Sequence, residues 1–282
     1  MGTLDRTWSL YKQSFSILSA DAEIVIFPVL SAISAILVAA GFFFPLYQSG
    51  LLREFTHKNP EWDVYAILFA WYYLNYLVII FFNSALVGCA NIRLSGGDPS
   101  VRDGLRVAAQ HFGKIACWAF VAATVGVVLD TLKNRSNKLI GRLVAGGLGL
   151  AWTLITYLIV PVIILEDRTI YESMERSAEL FRKRWGEQIA GNFGFGLLNL
   201  FLLLPAAILG LLLFKLDQAL AIITLIWYII ILSAITSAVK GVFTVVLYRY
   251  ASTGELPNGF SGRQIEGALG VQPPRQSWDI PL

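Results

Sequence analysis

The sequence predicts an all-α fold: a polytopic membrane bundle of six transmembrane helices in three amphipathic-helix-plus-hairpin units. Two observations carry that prediction. The 282 residues are 56% hydrophobic and 15% charged, with a mean hydropathy of +0.63, whereas an ordinary globular domain is about 25% charged. Three times along the chain a short amphipathic segment precedes a pair of long apolar runs, and the charges fall mostly between those runs.

The first amphipathic segment carries Leu4, Trp8, Tyr11 and Phe15, the second Leu105, Ala109 and Phe112, and the third Met174, Ala178, Phe181 and Trp185. Spacings of three and four residues put each set on one helical face. The apolar runs are placed at Ile24–Leu46, Tyr65–Asn91, Ile115–Leu129, Leu143–Leu165, Ile189–Phe214 and Leu220–Val239. Crossing about 30 Å of hydrocarbon takes roughly 20 apolar residues. The third run falls short of that, yet without it the second unit would lack a hairpin. The units are residues 1–94, 95–166 and 167–254 of one membrane domain. The tail, residues 255–282, holds Pro257, Pro273, Pro274, Pro281 and four glycines, a composition that forms neither a span nor a long helix.

Each connection into the second and third units has its own start signal. Asp98-Pro-Ser-Val-Arg-Asp103 parallels Asp167-Arg-Thr-Ile-Tyr-Glu172, with Ser100 or Thr169 followed three residues later by a carboxylate, the pattern of a capping box. Pro99 keeps the chain from continuing helically out of the second span. The first segment lacks the box, since Arg6 stands three residues after Thr3.

The distribution of Lys and Arg sets the orientation. Arg6 and Lys12 stand at the start of the chain, Arg93, Arg102, Arg106 and Lys114 crowd the second connection, Arg168, Arg176, Arg182, Lys183 and Arg184 the fourth, and Arg249, Arg263 and Arg275 the end. The opposite side holds Arg53, Lys58, Lys133, Arg135, Lys138, Arg142 and Lys215. Both termini are therefore expected in the cytoplasm, although the loop between the third and fourth spans is itself basic. The net charge of +3 is too small to point to nucleic acid. Cys89 and Cys117 both lie in apolar runs and are expected as small buried hydrophobes, not a disulfide.

Catalytic and metal motifs are lacking. His57 and His111 have no ligand-type neighbour at metal spacing, and no phosphate loop, nucleophile elbow or dinucleotide fingerprint occurs. No enzyme activity, cofactor or metal is expected. Lys240 is the charged residue of the last apolar stretch, and an ionisable group at membrane depth is a candidate site unless it snorkels to the headgroups. Asn75, Asn83 and Asn91 recur every eight residues, close to one face of the second span, and Asn192 and Asn199 lie seven apart on the fifth. Such amides pair across helix interfaces, each contributing about 0.6–2 kcal/mol, or line a polar path. Trp62, Tyr65, Trp71, Tyr72, Tyr73 and Tyr76 crowd the start of the second span. They suit an interfacial belt or a docking surface for a membrane-protein partner.

Several stretches resemble a known family. They are Val160-Pro-Val-Ile-Ile-Leu-Glu-Asp167, Ser177-Ala-Glu-Leu-Phe-Arg-Lys-Arg-Trp-Gly-Glu187, and Leu247-Tyr-Arg-Tyr-Ala-Ser-Thr-Gly-Glu-Leu-Pro-Asn-Gly-Phe260. The opening Trp8-Ser-Leu-Tyr-Lys12 and Phe27-Pro-Val-Leu30 complete the set. Over about residues 4–260 the chain looks like an uncharacterised bacterial and archaeal family of six-span membrane proteins. Its layout is distantly similar to the membrane domain fused to some glycerophosphodiester phosphodiesterases. The resemblance implies a prokaryotic cytoplasmic membrane and carries no activity, since the soluble phosphodiesterase barrel is absent. The expected role is a non-catalytic scaffold or accessory subunit, with the lipid bilayer and membrane proteins or further copies of the chain as partners. The alternative is a transporter or lipid-handling protein with a polar site near Lys240.

Overall fold

Proline and glycine decide where the apolar runs begin, break and end. The computed structural model describes residues 14–16, 18, 19, 21–48, 62–135, 139–185, 205, 214 and 217–254. Helix α1 (Ile26–Gln48) follows a 3₁₀ turn at Ala22–Val25, and Pro28 sits in its first turn, where a missing N–H costs little. Helix α2 (Trp62–Leu94) ends at Gly96, whose φ of 87° is the left-handed conformation that glycine adopts freely. The Gly97 N–H then bonds the Ile92 carbonyl and the Gly96 N–H the Arg93 carbonyl, closing a Schellman motif.

Helix α3 (Val101–Gln110) starts on the predicted capping box. The Ser100 hydroxyl accepts from the Asp103 N–H and the Asp103 carboxylate accepts from the Ser100 N–H at 3.1 Å. A single residue, His111, separates α3 from α4 (Phe112–Arg135). The expected short third span is therefore a 24-residue helix, with an apolar stretch over Phe112–Leu129. At 1.5 Å per residue it is about 36 Å long.

The fourth span is interrupted, which the sequence reading did not foresee. Helix α5 (Leu139–Ile155) stops, Thr156–Leu158 turn, and α6 (Ile159–Leu165) resumes. Pro161 explains the position, because it offers no N–H to the Tyr157 carbonyl four residues earlier and its ring crowds that carbonyl. Ser177 of helix α7 (Ile170–Trp185) bridges the break: its hydroxyl donates to the Ile155 carbonyl at 2.6 Å and accepts from the Leu158 N–H at 3.2 Å.

Helix α8 (Gln218–Thr253) is capped by Asp217, whose carboxylate accepts from Ala219 and Leu220, and it ends on left-handed Gly254. The sixth run was expected to stop at Val239; the helix instead runs on to Thr253. Its first half exposes Leu220, Ile222, Ile223, Ile226 and Trp227, whereas its second half buries a dense series from Ala234 to Ala251.

Among the described residues the fold is all-α, without strands, and five stretches are long and apolar enough to cross a membrane. They are Glu23–Gln48, Ala66–Leu94, Phe112–Leu129, Gly146–Leu165 and Gln218–Thr253. The expected fifth span, Ile189–Phe214, falls almost wholly outside the described residues, as do the tail and most of the first amphipathic segment. The chain divides into two compact units, Ile26–Ala178 and Met1–Val25 with Glu179–Leu282. In the first, α2 packs against α1, α3, α4 and α6, and α4 against α5, where Trp118 and Trp152 stack at 5.7 Å. In the second, α8 packs on the Ala22–Val25 turn.

The amphipathic faces are turned by one residue from their expected positions. Gly104 and Ala108 are buried on α3, while Ala109 and Phe112 are exposed. Ser173, Ser177 and Leu180 are buried on α7, with Phe181 at the edge, and Ser14 and Leu18 are buried while Phe15 is exposed. Small side chains let two backbones approach, so they occupy the contact centre and the larger apolar groups flank it. At Gly104 a Cβ would stand 2.6 Å from Cys89 Sγ and 2.7 Å from the Ala85 carbonyl oxygen.

Candidate functional site

The chemistry of the Ile26–Ala178 unit collects where α2 and α6 end and α3, α4 and α7 begin. Glu166 follows α6 and accepts from Arg168 Nε at 2.6 Å and from Arg176 Nε at 3.2 Å. Its neighbour Asp167 takes a φ of 48°, which Asp tolerates better than most residues, and pairs with Lys114 at the start of α4. That pair joins chain segments more than fifty residues apart. Arg93 reaches Asp98 at 3.3 Å, and Arg106 reaches Asp103 at 3.2 Å. Thr169 and Glu172 form the second capping box, with the Thr169 N–H donating to the carboxylate at 3.0 Å.

Three carboxyls of this collar, Asp103, Asp167 and Glu172, are held below their ordinary range. For Asp103 the main cause is the Ser100 hydroxyl, followed by the Ser100 N–H. The Lys114 ammonium, by hydrogen bond and charge, does the same for Asp167, and the Thr169 N–H for Glu172. Each is thus a fixed negative charge near neutral pH. Among the described residues no group of three or more His, Cys, Asp or Glu stands together as a metal site.

Four of the predicted aromatic residues pack between helices, while the side chains of Trp62 and Tyr65 lie outside the described residues. Trp71 meets Phe43 of α1 edge-on at 5.6 Å and Tyr72 at 5.3 Å, and Tyr72 stacks on Tyr76 at 6.5 Å. Tyr73 meets Phe120 of α4 at 6.0 Å. Trp71, Tyr72, Tyr73 and Tyr76 are half-buried as a result, and the rings tie α1, α2 and α4 together. Trp62 supplies the first residue of α2. The Trp71 indole N–H is buried with no hydrogen-bond partner among the described residues.

The amides of α2 do not line one face. Eight residues advance a helix about 80° past two full turns, so Asn75 and Asn91 differ by about 160°. Asn75 donates to the Trp71 carbonyl of its own helix at 2.9 Å and is half-buried, Asn83 is exposed, and Asn91 is half-buried. Asn192 and Asn199 lie outside the described residues. Lys240 is exposed and shares a stripe of α8 with exposed Ser233 and Ser237 and half-buried Thr244, whose hydroxyl donates to the Lys240 carbonyl. Cys89 is buried, with its thiol 3.4 Å from the Ser100 carbonyl, and Cys117, contrary to expectation, is exposed on α4.

Long apolar helices with ionic pairs gathered at one end define the class: an all-α chain built to sit across a membrane. Residues 63–260 match the model of the family of unknown function DUF6159, and the chain belongs to that family. No curated protein and no solved structure matches it.

Proposed function

We propose that the chain is a non-catalytic, multi-pass membrane scaffold, or an accessory subunit of a larger membrane complex. One observation carries this reading: the ionisable side chains of the collar are engaged in bracing. Arg93, Asp103, Lys114, Glu166, Asp167, Glu172 and Arg176 each bind a neighbouring segment or cap a helix. A catalytic or transport site keeps such groups available to a ligand; here they lock the ends of the spans to α3 and α7. The exposed first half of α8 offers a broad apolar wall to lipid or to another transmembrane helix.

The second and third units are read as copies of one helix-plus-hairpin element. Aligning the two capping boxes sets buried Gly104 opposite buried Ser173, and buried Ala108 opposite buried Ser177. The basic connections favour the cytoplasmic membrane with both termini inside. The test is extraction in mild detergent followed by native mass analysis. The chain is expected to leave the membrane with a second protein or with further copies of itself. A lone monomer under every mild condition overturns the scaffold reading.

A further inference from the structure

The outer edge of α3 combines two features that its interior packing does not use. Gly104 and Ala108 bury one side against α2, leaving Arg102 and Arg106 exposed on the other. Between them and the buried side run half-exposed Leu105, exposed Ala109 and Phe112, the last 48% exposed. Arg106 spends one N–H on Asp103 and its side chain stays 57% exposed, with further N–H donors in its guanidinium. One residue joins α3 to α4, and a six-residue turn joins it to α2, so it is held at the level where those helices end. Phe112 begins α4, and Phe120, two turns on, is 53% exposed. An apolar wall therefore rises along α4 to meet a basic rim on α3.

We propose that this edge of α3 binds an acidic phospholipid of the surrounding bilayer, with Arg102 and Arg106 against the headgroup phosphodiester and Leu105, Ala109 and Phe112 against the acyl chains. An amphipathic helix lying in the interface with arginines beside an apolar stripe has the chemistry for this, and guanidinium matches a phosphodiester in both charge and geometry. The α7 helix sharpens the assignment. At the positions corresponding to Arg102 and Arg106 it exposes Tyr171 and Glu175, with Glu179 beside them, while Glu172 matches Asp103 of α3. That face of α7 lacks the arginine pair, so of these two helices α3 carries the site. The inference is independent of the scaffold reading, which is tested by protein partners rather than by lipid.

The experiment is native mass spectrometry of the full-length protein in detergent, titrated with phosphatidylglycerol or with phosphatidylcholine of the same acyl chains. Phosphatidylglycerol is expected to bind more tightly. Its advantage should fall about fivefold for each arginine removed in Arg102→Gln and Arg106→Gln. Arg102→Lys with Arg106→Lys should retain most of it, and Arg182→Gln on α7 all of it. Thermal unfolding of each variant checks that the fold survives, and the Lys pair keeps the test intact if the Gln pair unfolds. Equal binding of the two lipids by the native chain overturns the proposal. So does an undiminished preference in the Gln pair, or a loss in Arg182→Gln as large as in the Gln pair. Displacement of the lipid by inorganic phosphate at similar concentration also overturns it, since a free anion would then be the ligand.

Discussion

One hydroxyl decides how the fourth span tolerates its interruption. Inside a bilayer an unpaired backbone group costs several kcal/mol, so irregular backbone there requires a protein partner. Ser177 supplies it for both sides of the break, accepting from Leu158 and donating to Ile155. Ser177→Ala removes both bonds without changing the helix it sits on. The expected loss is about 1–3 kcal/mol, read as a lower unfolding temperature in detergent; an unchanged temperature would mean that Pro161 and packing suffice. Half of this arrangement was legible in the sequence. Pro161 is visible near the end of an apolar run, and the capping boxes at Ser100 and Thr169 follow from local spacing. Ser177 was not legible as the partner, because its acceptor lies 22 residues away and no local pattern encodes that distance.

At the scale of the helix, small residues set the contacts and large ones flank them. Sequence periodicity located the amphipathic segments of α3 and α7 but placed their inner faces one residue late, since it weighs apolar size and misses the close approach that Gly104, Ala108, Ser173 and Ser177 permit. Two glycines on either side of the α2–α3 contact distinguish the cases. A Cβ at Gly104 meets the Ala85 backbone oxygen at 2.7 Å and Phe27 Cζ at 2.6 Å, whereas at Gly88 it meets the Val107 side chain at 3.0 Å. A carbonyl in a helix has nowhere to move, but a valine side chain can shift by a few tenths of an ångström. Gly104→Ala is therefore expected to destabilise by about 1–3 kcal/mol and Gly88→Ala by less. Thermal unfolding of the two variants side by side checks that order, and a reversed order would place the tighter contact at Gly88.

At the scale of the molecule, the basic connections make a topological prediction. A reporter fused in the turn after Asn91 should be active in the cytoplasm, one fused near Asn134 should be active outside, and one fused at Leu282 should be cytoplasmic. A cytoplasmic signal at Asn134 would take the third span out of the membrane. Helix positions for α1 and α2 were legible from apolar length alone, whereas the run that becomes α4 was too short by length and was placed by the need for a hairpin partner. The extent of α8 was not legible, because Lys240 has the look of a helix end, and only the structure carries regular backbone through it to Gly254. That continuity bears on how the protein meets bilayers of different thickness. At 1.5 Å per residue the 36 residues of α8 reach about 54 Å, well beyond a hydrocarbon layer of about 30 Å. Its large exposed apolar side chains end near Ile231, and beyond Ala234 most side chains are covered by protein, with Ser237 and Lys240 left exposed. A thinner or thicker membrane therefore acts on the leading half of the helix, which can respond by tilting, while the trailing half is held by its packing.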